Sequence, residues 1–311
     1  MPNNSVTAID GVLVGHTTNQ DSGTGCTVVL TPKGAIGGVD VRGGAPGTLE
    51  TDLLTTGKQI THIHGLMLSG GSAFGLEAAS GALEYLSERK IGYKTGENVI
   101  PIIPSAIIYD LNYKQFGFPS KSDGKQACLN ASSDPVTIGS VGAGTGATVA
   151  KMNGFEHSVK SGVGNAAITL QSGIKIAVLV VVNAYGSIIN YENGSTIAKP
   201  LNTGNDFNPF ELSQYFPETS CSKSPTDSPL NTTIGVIITN ADLTKEQVNY
   251  LAKVSHDGLA MTIFPCHTLR DGDTLFALST SELKIPVDMT ALGIAATKVT
   301  ADAVLSAVKK R

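Results

Sequence analysis

Apolar and polar positions alternate along the first third of the chain in short β-branched runs broken by glycine-rich turns. Residues 12–14, 26–30 and 35–39 read as a meander of strands. An apolar run at 66–68 then enters Gly70-Gly71-Ser72 and changes to a helical period over residues 73–89. Phe74, Ala78, Leu83 and Leu86 supply its apolar face, and Ala79 and Gly81 allow close packing. Residues 104–111 and 174–182 are further strands, the second being the most apolar in the chain. Residues 232–240 form another, followed by a helix capped by Asp242 or Thr244. That helix carries Leu251, Val254, Leu259 and Ile263 as its stripe and is stopped by Pro265. An Ala- and Val-rich helix over 288–310 ends on basic residues, as the helix dipole favours.

One stretch breaks the pattern. Residues 194–230 are polar and carry Pro200, Pro209, Pro217, Pro225 and Pro229, which predicts an exposed, mobile connection. It ends at Asn231-Thr232, where the chain becomes a β-branched, apolar strand. A threonine at a loop-to-strand junction is ordinary in β-containing proteins. The junction nevertheless permits specific chemistry. Cleavage before Thr232 would leave a hydroxyl nucleophile and a free α-amine on one residue. Such an amine has an ordinary pKa of roughly 7.7–8 and can serve as its own general base.

Composition narrows the classes. The 311 residues are 41% hydrophobic and 15% charged, enough for a sizeable core, and 35 glycines suit a layered α/β protein with many close backbone approaches. A net charge of −4, scattered basic residues and no Trp leave nothing to favour a nucleic-acid or anionic-membrane partner. Cys26, Cys128, Cys221 and Cys266 form no CxxC pair and read as structural thiols in a reducing compartment. The N-terminus shows no secretory pattern, and the longest apolar run, 176–182, is far short of a membrane span. A soluble, cytoplasmic protein is expected.

Cofactor and metal motifs fail. The G-x-S-x-G elbow would need glycine where Phe74 stands, and no Gly-Lys-Ser/Thr phosphate loop occurs. His62 and His64 lack further ligands at metal spacing and read as core or edge histidines. Asp271 and Asp273, two apart before an apolar strand, fit a catalytic pair, a calcium-like turn or an ordinary Asp-rich turn; the intervening sequence rules out an EF-hand. Lys151 closes a run containing Gly139, Gly142, Gly144 and Gly146, as a solvated lysine or beside a ligand-facing backbone. Tyr109 adjoins Asp110, Asp40 and Arg42 fit a local ion pair, and Asn183 ends the most apolar strand as a turn former or a site residue.

Taken together and in order, residues 24–30, 68–79, 105–110, 142–151, 231–236 and 267–277 resemble one family. It is the self-processing L-aminopeptidases/D-amino-acid amidases and β-peptidyl aminopeptidases, with the nylon-oligomer hydrolases. The resemblance covers most of the chain outside 194–230. It implies an α/β four-layer α-β-β-α sandwich of N-terminal-nucleophile type, self-cleaved between Asn231 and Thr232 into parts 1–231 and 232–311 that stay together as one hydrolase domain. It implies Thr232 as nucleophile, Asp271 and Asp273 orienting and polarising its amine and hydroxyl, Tyr109 and Asn183 serving the oxyanion, and Lys151 against the nucleophile. No cofactor is implied; the partners are a small peptide or amide substrate and further copies in a homotetramer. The β-peptide-cleaving branch carries Ser and a Ser/Glu pair where this chain has Thr232 and Asp271/Asp273, the pattern of the nylon-oligomer hydrolases and of many unassigned relatives, while Gly70-Gly71-Ser72 looks more like the general aminopeptidase-type relatives. An acyltransferase on a related fold and an uncut, non-catalytic paralogue are the alternatives.

Overall fold

The computed structural model describes residues 3–215 and 231–308. Nine strands are hydrogen-bonded into one sheet: β1 (Leu13–Asn19), β2 (Thr24–Val41), β3 (Thr48–Leu49), β4 (His62–Ser69), β5 (Ser105–Ile107), β6 (Val163–Thr169), β7 (Lys175–Asn183), β8 (Thr232–Ala241) and β9 (Thr274–Leu283). Their order is β6-β7-β8-β9-β2-β4-β5-β3, with β1 on β2. The separate runs expected at 26–30 and 35–39 are thus one long strand. β2 pairs with β4 on one side and, through Ile36 to Val41, with β9 on the other. Its register on β4 shifts between Leu30 and Ala35, an irregularity of the kind that bends a strand.

The sheet folds back on itself about β2. Leu66 and Leu68 of β4 share a buried cluster with Leu179 and Val181 of β7, although three strands stand between them in the sheet order. The outer faces carry helices. Val28, Leu30 and Met67 pack against Ala78 and Ala82 of α1 (Ala78–Glu88) and Ala127 of α2 (Lys121–Leu129). On the far side Ile176, Val178 and Val180 pack against α3 (Lys245–Thr262) and α4 (Met289–Val308). The period-2 alternation of β7 explains this split: even-numbered residues face the helices and odd-numbered ones face the inner cluster. Three apolar clusters therefore separate four layers, helix, strand, strand, helix, as expected, with the two strand layers joined through β2. Each fully buried Val, Leu or Ile contributes roughly 1.5–3 kcal/mol.

Local differences have local causes. The helix expected from residue 73 begins as a 3-10 turn, Ser72–Glu77, and Phe74 and Leu83 of its supposed apolar face are exposed. The packed face keeps Ala78 and Leu86 and is otherwise made of small residues: a Cβ on Gly81 would stand 2.0 Å from the Lys121 carbonyl oxygen. Thr244, and not Asp242, is the N-cap of α3, in a capping box with Gln247. Ile263 leaves that helix for a short strand, Ile263–Phe264, paired with Ser187–Ile189. The expected strand at 104–111 is confined to Ser105–Ile107. Arg42 pairs with Asp40 at 2.8 Å, as its spacing suggested. Helix α4 is long and apolar enough to cross a membrane, but 61% of its most apolar window is buried inside the protein, as befits a core helix.

The connection after residue 194 is less detached than its composition suggested. Thr196–Ala198 joins Ser187–Ile189 as a strand, and Phe210 lies on Phe264 with ring centroids 4.6 Å apart. Residues 216–230, with Cys221, lie outside the described residues.

Candidate active site

Thr232 is the first residue of β8 and sits opposite Asn183, the last residue of β7. The junction is internal: Asn231 is 0% and Thr232 3% exposed. Asn231 forms a parallel bridge to Asp271. Its N–H donates to the Arg270 carbonyl at 3.0 Å, and its own carbonyl accepts the Gly272 N–H at 2.8 Å. The Thr232 hydroxyl donates to that same carbonyl oxygen. The chain thus enters β8 with its hydroxyl already against the peptide group that precedes it.

The two aspartates flank this point, both 1% exposed. Asp273 Oδ1 accepts the Thr233 N–H at 2.6 Å, and its Oδ2 accepts the His267 N–H at 3.2 Å and Nδ1 at 2.7 Å. Asp271 Oδ2 accepts the Thr268 N–H at 2.9 Å and its hydroxyl at 2.5 Å, while Oδ1 accepts the Tyr185 N–H at 3.3 Å. Burial, followed by the neighbouring Asp273 charge, raises the Asp271 pKa, and the Thr268 hydrogen bonds oppose the rise. The pair is therefore a rigid, desolvated feature, not a solvated turn.

Lys151 is the clearest departure from a bland reading. It is buried, and its Nζ donates to Asn183 Oδ1 at 2.7 Å and to the Asn183 carbonyl at 2.9 Å. Burial lowers its pKa to about 7, against the opposing pull of Asp271 and Asp110. Asn183, fully buried, is no turn former: its Oδ1 also accepts the Thr148 N–H at 3.0 Å, and its Nδ2 donates to the Tyr109 carbonyl at 3.0 Å. Tyr109 thus reaches the site through its backbone. Asp110 beside it accepts the Gly71 N–H and the Thr24 hydroxyl, each at 2.7 Å, and burial pushes it up to about 6. Five of the six expected side chains, those of Thr232, Asp271, Asp273, Asn183 and Lys151, gather around the start of β8; Tyr109 contributes its backbone carbonyl and not its phenol.

Sequence reading missed four contributors. His267, Thr268 and Gly272 lie inside the 267–277 stretch, where only the aspartates drew notice; Tyr185 follows Asn183. His267 adopts φ 56° and Ala150, next to Lys151, φ 59°. Both are left-handed conformations that L-residues adopt at a cost of about 1–2 kcal/mol, a concentration of strain typical of functional sites. The Tyr185 ring lies 5.6 Å from the Arg270 guanidinium, beside Asp271.

The model of peptidase family S58 matches residues 4–310. The chain belongs to that family. It is 39% identical over 331 residues to an uncharacterized aminopeptidase of Mycobacterium tuberculosis (strain ATCC 25618 / H37Rv), covering 98% of this chain and 93% of the relative. It is 33% identical over 315 residues to the 6-aminohexanoate-oligomer endohydrolase of Paenarthrobacter ureafaciens, covering 96% of this chain and 84% of that one. The solved L-aminopeptidase D-Ala-esterase/amidase of Ochrobactrum anthropi, described as a variant of the Ntn hydrolase fold, superposes with a TM-score of 0.72 at 19% identity, over 98% of this chain and 86% of that one. This S58 member is therefore an amide hydrolase of a peptidase family, with the Ntn hydrolase fold.

Proposed function

We propose that this S58 hydrolase cleaves itself between Asn231 and Thr232 and then hydrolyses short amides through an acyl-enzyme on Thr232. The observation that carries this reading is the buried Thr232 hydroxyl donating to the Asn231 carbonyl, between Asp271 and Asp273. In the intact chain that contact favours attack of Oγ1 on the Asn231 carbonyl carbon. Lys151, bonded to Asn183 across from Thr232 and with its pKa near 7, takes the hydroxyl proton once the hydroxyl turns from the Asn231 carbonyl. The C–N bond breaks with a proton going to the Thr232 nitrogen, and water hydrolyses the resulting ester. The new α-amine then replaces the peptide nitrogen as the base that activates Oγ1 against substrate. Asp273 fixes the Thr233 peptide next to it and Asp271 the Tyr185 peptide, so both orient the nucleophile. Of the two N–H bonds on Asn183 Nδ2, one is spent on Tyr109 and the other serves the substrate oxyanion.

The substrates are short, linear amino-acyl or ω-amino-acid amides. Two relatives, one named an aminopeptidase and one a 6-aminohexanoate-oligomer endohydrolase, support that class. A nucleophile buried at strand ends admits a thin, flexible chain and excludes a folded one. The exposed Phe74 and Phe116, clustered with the half-buried Phe118 that stacks on Phe74 at 5.1 Å, suit coverage by another copy in a tetramer, which light scattering after gel filtration tests. A screen of amino-acid p-nitroanilides, β-dipeptides and 6-aminohexanoate oligomers tests the substrate class; inertness of a processed chain to all three sinks it.

A further inference from the structure

The Asp-Gly-Asp stretch places a backbone donor on the bond proposed for cleavage. The Gly272 N–H stands 2.8 Å from the Asn231 carbonyl oxygen. That oxygen is where negative charge gathers when Oγ1 of Thr232 adds to the carbonyl carbon. We propose that the Gly272 N–H is the oxyanion donor for self-cleavage, distinct from the Asn183 amide that serves the substrate. The inference rests on the processing reading above and deepens it.

Two further features fit this assignment. The first is rigidity. The Asp271 carbonyl accepts the Ala45 N–H at 2.8 Å, and the Asp273 carbonyl accepts the Arg42 N–H at 3.0 Å, so both neighbours of Gly272 are pinned to the 42–45 turn. An oxyanion donor contributes most when it is already held in place and water is excluded. The second is the absence of a side chain. A Cβ at position 272 would stand 2.5 Å from the Ala45 carbonyl oxygen and 2.9 Å from Thr232 Oγ1. Only glycine lets the backbone approach the nucleophile closely enough for its N–H to reach the carbonyl under attack.

The step balances within the chain. The Oγ1–C bond forms, the carbonyl π pair moves onto the Asn231 oxygen, and the Gly272 N–H strengthens its hydrogen bond as that charge grows. Collapse returns the pair and expels the Thr232 nitrogen, which takes a proton. Hydrolysis then leaves Asn231 with a carboxylate.

Replacing the peptide N–H by an ester oxygen isolates the donor without adding a side chain. Glycolic acid at position 272, installed by nonsense suppression in a cell-free system, removes that N–H alone. Glycolic acid at position 37 removes a buried N–H remote from the site, the one bonded to the Thr61 carbonyl at 3.0 Å, and is the matched control. Circular dichroism checks that each full chain is folded. The appearance of the smaller fragment is followed by intact mass. The 272 ester is expected to slow cleavage on the order of 10²-fold, while the 37 ester cleaves within a few-fold of the parent. Equal slowing by both esters, or parental cleavage by the 272 ester, overturns the assignment. If the parent itself is never cut, the processing reading fails instead, and the two failures are distinct.

Discussion

Lys151 donates its two side-chain hydrogen bonds to one residue, Asn183, at 2.7 Å from Oδ1 and 2.9 Å from the carbonyl oxygen. Asn183 in turn faces Thr232 across β7 and β8. An ammonium held by a neutral amide in a dry site has no full counter-charge in hydrogen-bond contact, and burial brings its pKa down to about 7.

A lysine so placed gives self-cleavage a defined pH dependence. Its cationic form is destabilised on folding, so it loses its proton as pH rises through about 7. The neutral base is present at roughly a tenth at pH 6 and roughly nine-tenths at pH 8. Cleavage measured on freshly synthesised chain should rise about tenfold between those values and then level. Lys151→Met should cleave on the order of 10²-fold more slowly and lose the profile. A flat profile in the parent contradicts this role.

Asp271→Asn and Asp273→Asn should each lower kcat on the order of 10²-fold. Both carboxylates are buried and accept N–H donors on both oxygens, so an asparagine keeps one acceptor and turns its NH2 toward a donor. Thermal midpoints should therefore fall by several degrees, with kcat read on the folded protein. Normal turnover in both variants would return the pair to the role of turn residues.

His267 holds Asp273 by two hydrogen bonds, from N at 3.2 Å and from Nδ1 at 2.7 Å. A hydrogen bond to a charged group is worth about 1.5–3 kcal/mol, so His267→Ala should cut kcat by about tenfold or more with KM little changed. His267→Asn, which offers an amide donor near the position of Nδ1, should recover part of the loss. An alanine variant with parental kcat would show that Asp273 needs no such support.

The layered fold was legible because strand and helix periods are strong where a segment buries one face, as in β7, β8 and α3. The candidate site was legible through the family resemblance; the residues alone offered Thr232 at a loop-to-strand junction and left Asn183 and the two aspartates with ordinary turn roles as alternatives. Burial of Lys151 was not legible. Nothing in a glycine-rich run reveals that residues 139–151 pack between strands. The fused β2 was hidden because its irregularity between Leu30 and Ala35 looks like a turn in sequence. The exposure of Phe74 and Leu83 follows from a helix contact through Gly81, which an amphipathic template does not anticipate. His267 escaped notice because its role depends on a backbone reversal at φ 56°.

The Tyr185 peptide bonds Asp271 beside Thr232, which is itself 3% exposed. A nucleophile so enclosed favours thin substrates. Turnover is expected on small amino-acyl amides and ω-amino-acid oligomers, with casein digested little. Efficient casein digestion alongside inert small amides would contradict the buried-nucleophile geometry.

Self-cleavage at Asn231–Thr232 is tested most directly by intact mass and N-terminal sequencing of the purified, active protein. Two polypeptides are predicted, the smaller beginning at Thr232, and Thr232→Ala should remain one uncut, inactive chain. A fully active enzyme whose chain is whole, or cut so that the smaller piece begins elsewhere, would contradict Thr232 as the self-generated nucleophile.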